Sequence, residues 1–211
     1  MRKLVIFSVL VLAGAMVFAV IPSEEDKGVY SQVVRLHVVA DSDSEYDQTV
    51  KLGVRDAILG YVMGLVRDCT DAGSAAEVIA HDLPSIRKCA QSAVDTFGSC
   101  DACTVVLSDE YYPTRDYDGV SLPAGVYKSL RVNIGSAQGQ NWWCVLYPTL
   151  CTFAARAGSV LKQTGFTPEQ IGLLTDNDKP VYVIKFKILE LLHDGFFRST
   201  RTDSPRALPQ S

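Results

Sequence analysis

The chain has 211 residues, 47% of them hydrophobic, and a formal net charge of −4. Its pI is near 5.4 and its Lys and Arg are scattered, so the basic stripe needed for nucleic acid is missing and no nucleic-acid partner is expected.

Arg2 and Lys3 precede an apolar run from Leu4 to Ile21, broken only by Ser8 and Gly14. A short basic start before such a run is the layout of an export signal. Val17 and Ala19 offer a small-residue cleavage site, and the run is also near the length that crosses a bilayer. Residues 1–21 are therefore expected to be a signal peptide or an N-terminal anchor, and the chain is expected to meet membrane only there. Roughly 190 residues remain, enough for one domain with its own core beyond the membrane. Six cysteines in an exported chain favour disulfides over thiol chemistry.

Residues 22–32, with the charged stretch Ser23 to Gly28, read as a spacer. The β-branched, apolar run Val33 to Ala40 predicts a strand, ended by the turn and cap formers Asp41 to Ser44. Val50, Val54, Ala57, Ile58, Tyr61, Val62 and Leu65 recur at helical spacing, predicting an amphipathic helix from about Glu45 to Arg67. Ser74 can cap a short helix to Asp82. Pro84 suits the start of the next, whose apolar stripe is Ile86, Ala90, Ala93 and Phe97 and whose stop is Gly98.

The period then shortens to two. Val105 and Leu107, then Leu130, Val132 and Ile134, alternate with polar neighbours and predict strands. Asp118-Gly119 and Leu122 to Gly125 supply turns between them. A polar turn at Gly135 to Gln140 leads into Asn141-Trp142-Trp143-Cys144, and Ala154 to Gln163 suits a helix. Val181 to Leu192 reads as a strand running into a helical turn, and residues 196–211 as a disordered tail. The expected fold is α+β: residues 33–195 form one domain, a mixed, mostly antiparallel sheet with two or three helices on one face.

Two constellations could carry chemistry. His37 lies within a strand, and Asp41, Asp43 and Asp47 cluster past its C-terminal end, where α/β sites often sit. A metal-dependent hydrolase or cell-wall-modifying enzyme using His37 with Asp41 or Asp43 can be drawn from them. The plainer account is that the acids cap the helix and complement its dipole. His81 and His193 sit in surface-like helical contexts. Cys100-Asp101-Ala102-Cys103 has redox or zinc half-site spacing, but no helix N-terminus follows to lower a thiol pKa. A disulfide, local or to Cys69 or Cys89, is the expectation there, ahead of a zinc site shared with Cys144 and Cys151. No cofactor is expected.

Cys144 and Cys151, seven residues apart, would be about 10 Å apart in a helix and about 23 Å in a strand. A disulfide needs less than about 7 Å, so bonding them requires a turn, which Tyr147-Pro148 suits. Such a short loop would gain about 2–3 kcal/mol on the chain-entropy model, and the Trp-Trp segment is expected to be a turn, closed by Cys144 and Cys151, that fixes the two rings. Cys144 as a nucleophile has no evident His or Asn partner in the chain.

The chain resembles the stage II sporulation protein R family. The resemblance rests on Arg35 to Ser44, Asp47-Gln48 and Lys51 to Ala57. It continues through Tyr112 to Arg115, Leu122 to Tyr127, Leu130 to Val132, Ile134-Gly135, Gly139 to Pro148 and Cys151. It implies a non-enzymatic signalling protein made in the forespore and exported into the space between forespore and mother cell. There it would activate a membrane-embedded aspartic protease of the mother cell, which cuts the pro-form of the early mother-cell sigma factor. A binding surface for that partner should carry rigid aromatic anchors ringed by polar groups. Trp142, Trp143, Tyr147, Tyr111 and Tyr112 are the candidates, with Arg115 and Arg131 as polar partners.

Overall fold

The computed structural model describes residues 6–7, 24–117, 120–148, 161–162, 164 and 166–175. Nearly all of the expected export segment, Cys151, most of the expected Ala154 to Gln163 helix, Val181 to Leu192 and residues 196–211 lie outside the described residues.

The chain enters the described region through α1 (Glu24–Ser31) and β1 (Val34–Val39). Three helices follow: α2 (Glu45–Leu65), α3 (Ala72–His81) and α4 (Leu83–Thr96). Ser44 caps α2, its hydroxyl oxygen accepting from the Asp47 N–H at 3.1 Å, and Glu45 and Asp47 lie in the positive first turn. The acids after β1 therefore begin as cap chemistry. α3 starts slightly earlier than Ser74 would place it. Asp71 is the cap, and Ser74 closes a reciprocal capping box with it. Pro84 stands in the first turn of α4, and Gly98, at φ +74°, ends that helix. The buried stripe of α4 is Ile86, Ala90 and Val94. Phe97 is 40% exposed and lies over Gly53, where a side chain on that glycine would strike its ring.

Next come β2 (Cys103–Tyr112), a small hairpin of β3 (Arg115–Tyr117) and β4 (Val120–Leu122), then β5 (Gly125–Ile134) and β6 (Asn141–Tyr147). The four long strands form one sheet in the order β2-β5-β1-β6. β1 runs parallel to β5, and the β2–β5 and β1–β6 pairs are antiparallel. The sheet is mixed and mostly antiparallel. α5 (Pro168–Thr175) is the last described element.

Both faces of the sheet are covered. Leu36 and Val38 of β1, Leu130, Val132 and Ile134 of β5, and Cys144 and Leu146 of β6 meet Val54, Ile58, Ile79, Ile86 and Ala90 from α2, α3 and α4. Burying each large apolar side chain contributes about 1.5–3 kcal/mol. Three helices on one face match the expected architecture. The other face carries a second cluster, in which Tyr112, Tyr127 and Val145 of the sheet meet Val120 and Leu122 of the β3–β4 hairpin, Val29 of α1 and Leu174 of α5.

Two readings of the sequence are corrected. The expected spacer at 22–32 contains α1, because Val29 is buried and Tyr30 packs edge-on against Tyr127 at 5.1 Å. The Trp-Trp segment is a strand, with residues alternating between two covered faces. The turn falls only at its end, where the Tyr147–Pro148 peptide is cis.

Candidate functional site

The register lines up four side chains across the second face. Val106 of β2 opposes Arg131 of β5, Arg131 opposes His37 of β1, and His37 opposes Trp143 of β6. Neighbours in such a row are about 4.8 Å apart, close enough for direct contact.

His37, 5% exposed, is the centre of a polar network. Its Nδ1 lies 2.7 Å from Glu110 Oε1, and its Nε2 lies 2.8 Å from Asn141 Oδ1. Arg131 Nη1 donates to the same Glu110 oxygen at 2.8 Å, while Ser129 Oγ donates to Oε2 at 2.9 Å. Tyr112 shares a 2.6 Å hydroxyl bond with Ser129. Both Glu110 oxygens are therefore engaged. Burial pushes the Glu110 carboxyl upward, but the hydrogen bond and charge of His37, the Ser129 hydroxyl and the Arg131 charge outweigh it and hold the group below its ordinary value.

Trp143 packs beside this network, its ring 5.6 Å from that of His37 and 6.4 Å from that of Tyr112. The Arg115 guanidinium, delivered by the hairpin, lies 4.0 Å from the Trp143 ring centroid. Arg115 is exposed, and its guanidinium forms no ion pair or hydrogen bond among the described residues.

Deeper on the same face, Arg35 is 0% exposed. Its guanidinium lies 4.1, 4.9 and 5.4 Å from the rings of Tyr112, Tyr127 and Tyr117. Nη2 donates to the Tyr117 hydroxyl at 2.6 Å and Nε to the Cys144 carbonyl at 3.3 Å, while Nη1 has no hydrogen-bond partner among the described residues. Burial pushes all three phenols above their ordinary range, against the opposing pull of the Arg35 charge.

The expected anchors separate accordingly. Trp143, Arg115 and Arg131 converge on one surface. Trp142 projects to the opposite, helix-covered face, 36% exposed, with the Arg55 guanidinium 4.5 Å from its ring. Tyr111 is half-buried on that face too. Tyr112 and Tyr147 are corrected from surface anchors to core residues. Tyr112 is 0% exposed, and Tyr147 is 4% exposed with its hydroxyl donating to the Cys69 carbonyl at 3.4 Å.

The sequence missed Glu110 and Asn141, which lie 73 and 104 residues from His37. A lone His in a strand buried on both faces was the available signal, since such a ring must find partners.

The drawn hydrolase set is not assembled. His37 gives its nitrogens to Glu110 and Asn141, Asp41 accepts from the Ser136 N–H, and Asp43 is exposed. Asp41, Asp47 and Asp101 do come within 4.8 Å of one another, without His37. Each is already bonded to serine: Asp41 to Ser136, Asp47 to Ser44, and Asp101 to Ser99 at 2.6 Å. The expected bonding of Cys100, Cys103, Cys69 or Cys89 is also corrected, because all four are free thiols. Burial, aided by Asp101 and Asp95, pushes the Cys103 thiol up to about 11, so it is a poor thiolate. Cys144 is not among the free thiols, and Cys151, its expected partner, lies outside the described residues.

These features define an α+β domain with a helix-backed mixed sheet and, on its other face, a His37–Glu110–Arg131 network beside Trp143. The family model for stage II sporulation protein R matches residues 30–157, more than half of the chain and every strand of the sheet. The chain is also 32% identical over 172 residues to stage II sporulation protein R of Bacillus subtilis strain 168, covering 77% of each. No solved structure matches. The chain belongs to the stage II sporulation protein R family, and its role is in sporulation.

Proposed function

We propose that the chain is a signalling protein made in the forespore and exported across the forespore membrane. In the space between forespore and mother cell it activates a membrane-embedded aspartic protease of the mother cell. The protease then processes the pro-form of the early mother-cell sigma factor. The observation that carries this reading is membership of the family, which spans the whole sheet. The basic start and apolar run at residues 1–21 are consistent with it, as export or anchoring is what the role requires. A protein that acts by docking needs a presented surface, and the Trp143–Arg115 pair supplies an aromatic anchor with a charged neighbour. We further propose that Cys144 pairs with Cys151 across the turn at Pro148, closing the end of β6 after export.

The test is reconstitution. Adding the exported domain to membranes that carry the protease and its pro-sigma substrate should start cleavage. Membranes without the protease should yield none.

The hydrolase reading is not favoured, since His37 is bonded away from Asp41 and Asp43.

A further inference from the structure

The row on the second face has a charge imbalance that its own contacts do not resolve. The one carboxylate in its contacts among the described residues, Glu110, reaches in from further along β2 and has both oxygens taken by His37, Arg131 and Ser129. Arg131 gives Nη1 to Glu110 and Nε to Asn133 at 2.9 Å, and its side chain is 36% exposed against 17% for Glu110. Arg115 brings a second, exposed guanidinium 4.0 Å from the Trp143 ring centroid. Within these contacts, and among the described residues, one spent carboxylate thus stands against two arginines, the exposed Asp116 that follows Arg115 in β3 making no ion pair with either. Stacking on the indole limits the side-chain freedom that Arg115 has left to lose, so binding an anion there would be comparatively cheap in entropy.

The rest of the face does not compete for this role. The Arg35 cage is sealed under the β3–β4 hairpin. The Asp109–Lys128 ion pair, at 2.6 Å, lies on the other side of β2 and β5 and is self-neutralising. We infer that Arg115, Trp143 and Arg131, set around the buried His37, form a docking surface for an acidic stretch of polypeptide on a partner protein. Its carboxylates would meet Arg115 and Arg131 while an apolar side chain covers Trp143. The partner is the extracytoplasmic part of the protease, so this inference rests on the function proposed above.

The experiment measures binding of the full chain to protease-bearing membranes, and sigma-factor processing in parallel. Arg115→Glu should weaken binding at least ~10-fold, and the salt dependence of the remaining binding should flatten. The Arg115 side chain makes no ion pair or hydrogen bond among the described residues and its pairing with Leu122 is through the backbone, so the variant should fold, and unchanged circular dichroism checks this. Trp142→Ala, on the opposite face, should stay within about twofold of the parent chain. Equal processing by the parent and Arg115→Glu chains would overturn this inference while leaving the receptor role intact. A parent chain that neither binds nor activates would remove both. Equal Arg115-dependent binding to phosphatidylglycerol vesicles lacking the protease would also overturn it, in favour of a lipid surface.

Discussion

Arg35 carries a full charge into a site where no carboxylate meets it among the described residues. Three tyrosine faces and two hydrogen bonds hold it, and Nη1 stays unbonded. Desolvating a guanidinium is expensive, while a cation–π contact returns about 0.5–2 kcal/mol. Much of the side chain's value is therefore in filling space between β1 and the hairpin. Arg35→Met should keep most of the stability, whereas Arg35→Ala should lose about 3–5 kcal/mol by leaving a cavity. Urea unfolding of the two variants decides this, and equal losses would contradict it. Glu110 makes the complementary prediction. Its carboxyl is held below the ordinary value, so its contribution is present above about pH 4.5 and is lost as pH falls through the lower folded value. Glu110→Gln should flatten the acid side of a plot of melting temperature against pH. An unchanged profile would show that the network does not couple to folding.

At the scale of elements, the loop after β1 and the turn between β5 and β6 are a single docked unit. Asp41 accepts from the Ser136 N–H, its carbonyl accepts from Gln138 N at 3.0 Å, and Gly139 N donates to the Ala40 carbonyl at 3.0 Å. The Ser136 N–H is also what holds the Asp41 carboxyl below its ordinary value. This contact sets where β6 begins, and so where Asn141 and Trp143 meet His37. Gly139 is required by close approach, since a Cβ there would strike the Ser42 backbone carbonyl. Gly139→Ala should destabilise the domain by about 2 kcal/mol or more, read as a lower urea midpoint. A neutral result would mean the loop moves freely.

The same elements show what a sequence can display. Apolar positions at helical spacing placed α2 closely, and alternation placed β2 and β5, because each of these periods is written in neighbouring residues. The segment after Gln140 defeated that reasoning. Both faces of β6 are covered, so Trp142, Cys144 and Leu146 look as apolar as Trp143 and Val145, and the period of two disappears. α1 was hidden for the opposite reason. Its first four residues are charged, and what fastens it to the sheet is Val29 and Tyr30 at its end. The His37 site was the least legible part, since Glu110 reaches it only once β5 is inserted between β1 and β2.

For the whole molecule, the sheet acts as a divider with a structural and a presenting side. The helical side holds α2, α3 and α4. The other side seals Arg35 at one end and offers Trp143, Arg115 and Arg131 at the other. A protein organised this way is suited to being recognised, and its family is one of sporulation proteins. The central claim is that recognition outside the membrane switches on proteolysis within it. The most direct measurement is cleavage of pro-sigma substrate in membranes carrying the protease, with and without the purified exported domain. The account predicts cleavage only when both protease and domain are present. Cleavage at the same rate without the domain, or none with it, would contradict the account.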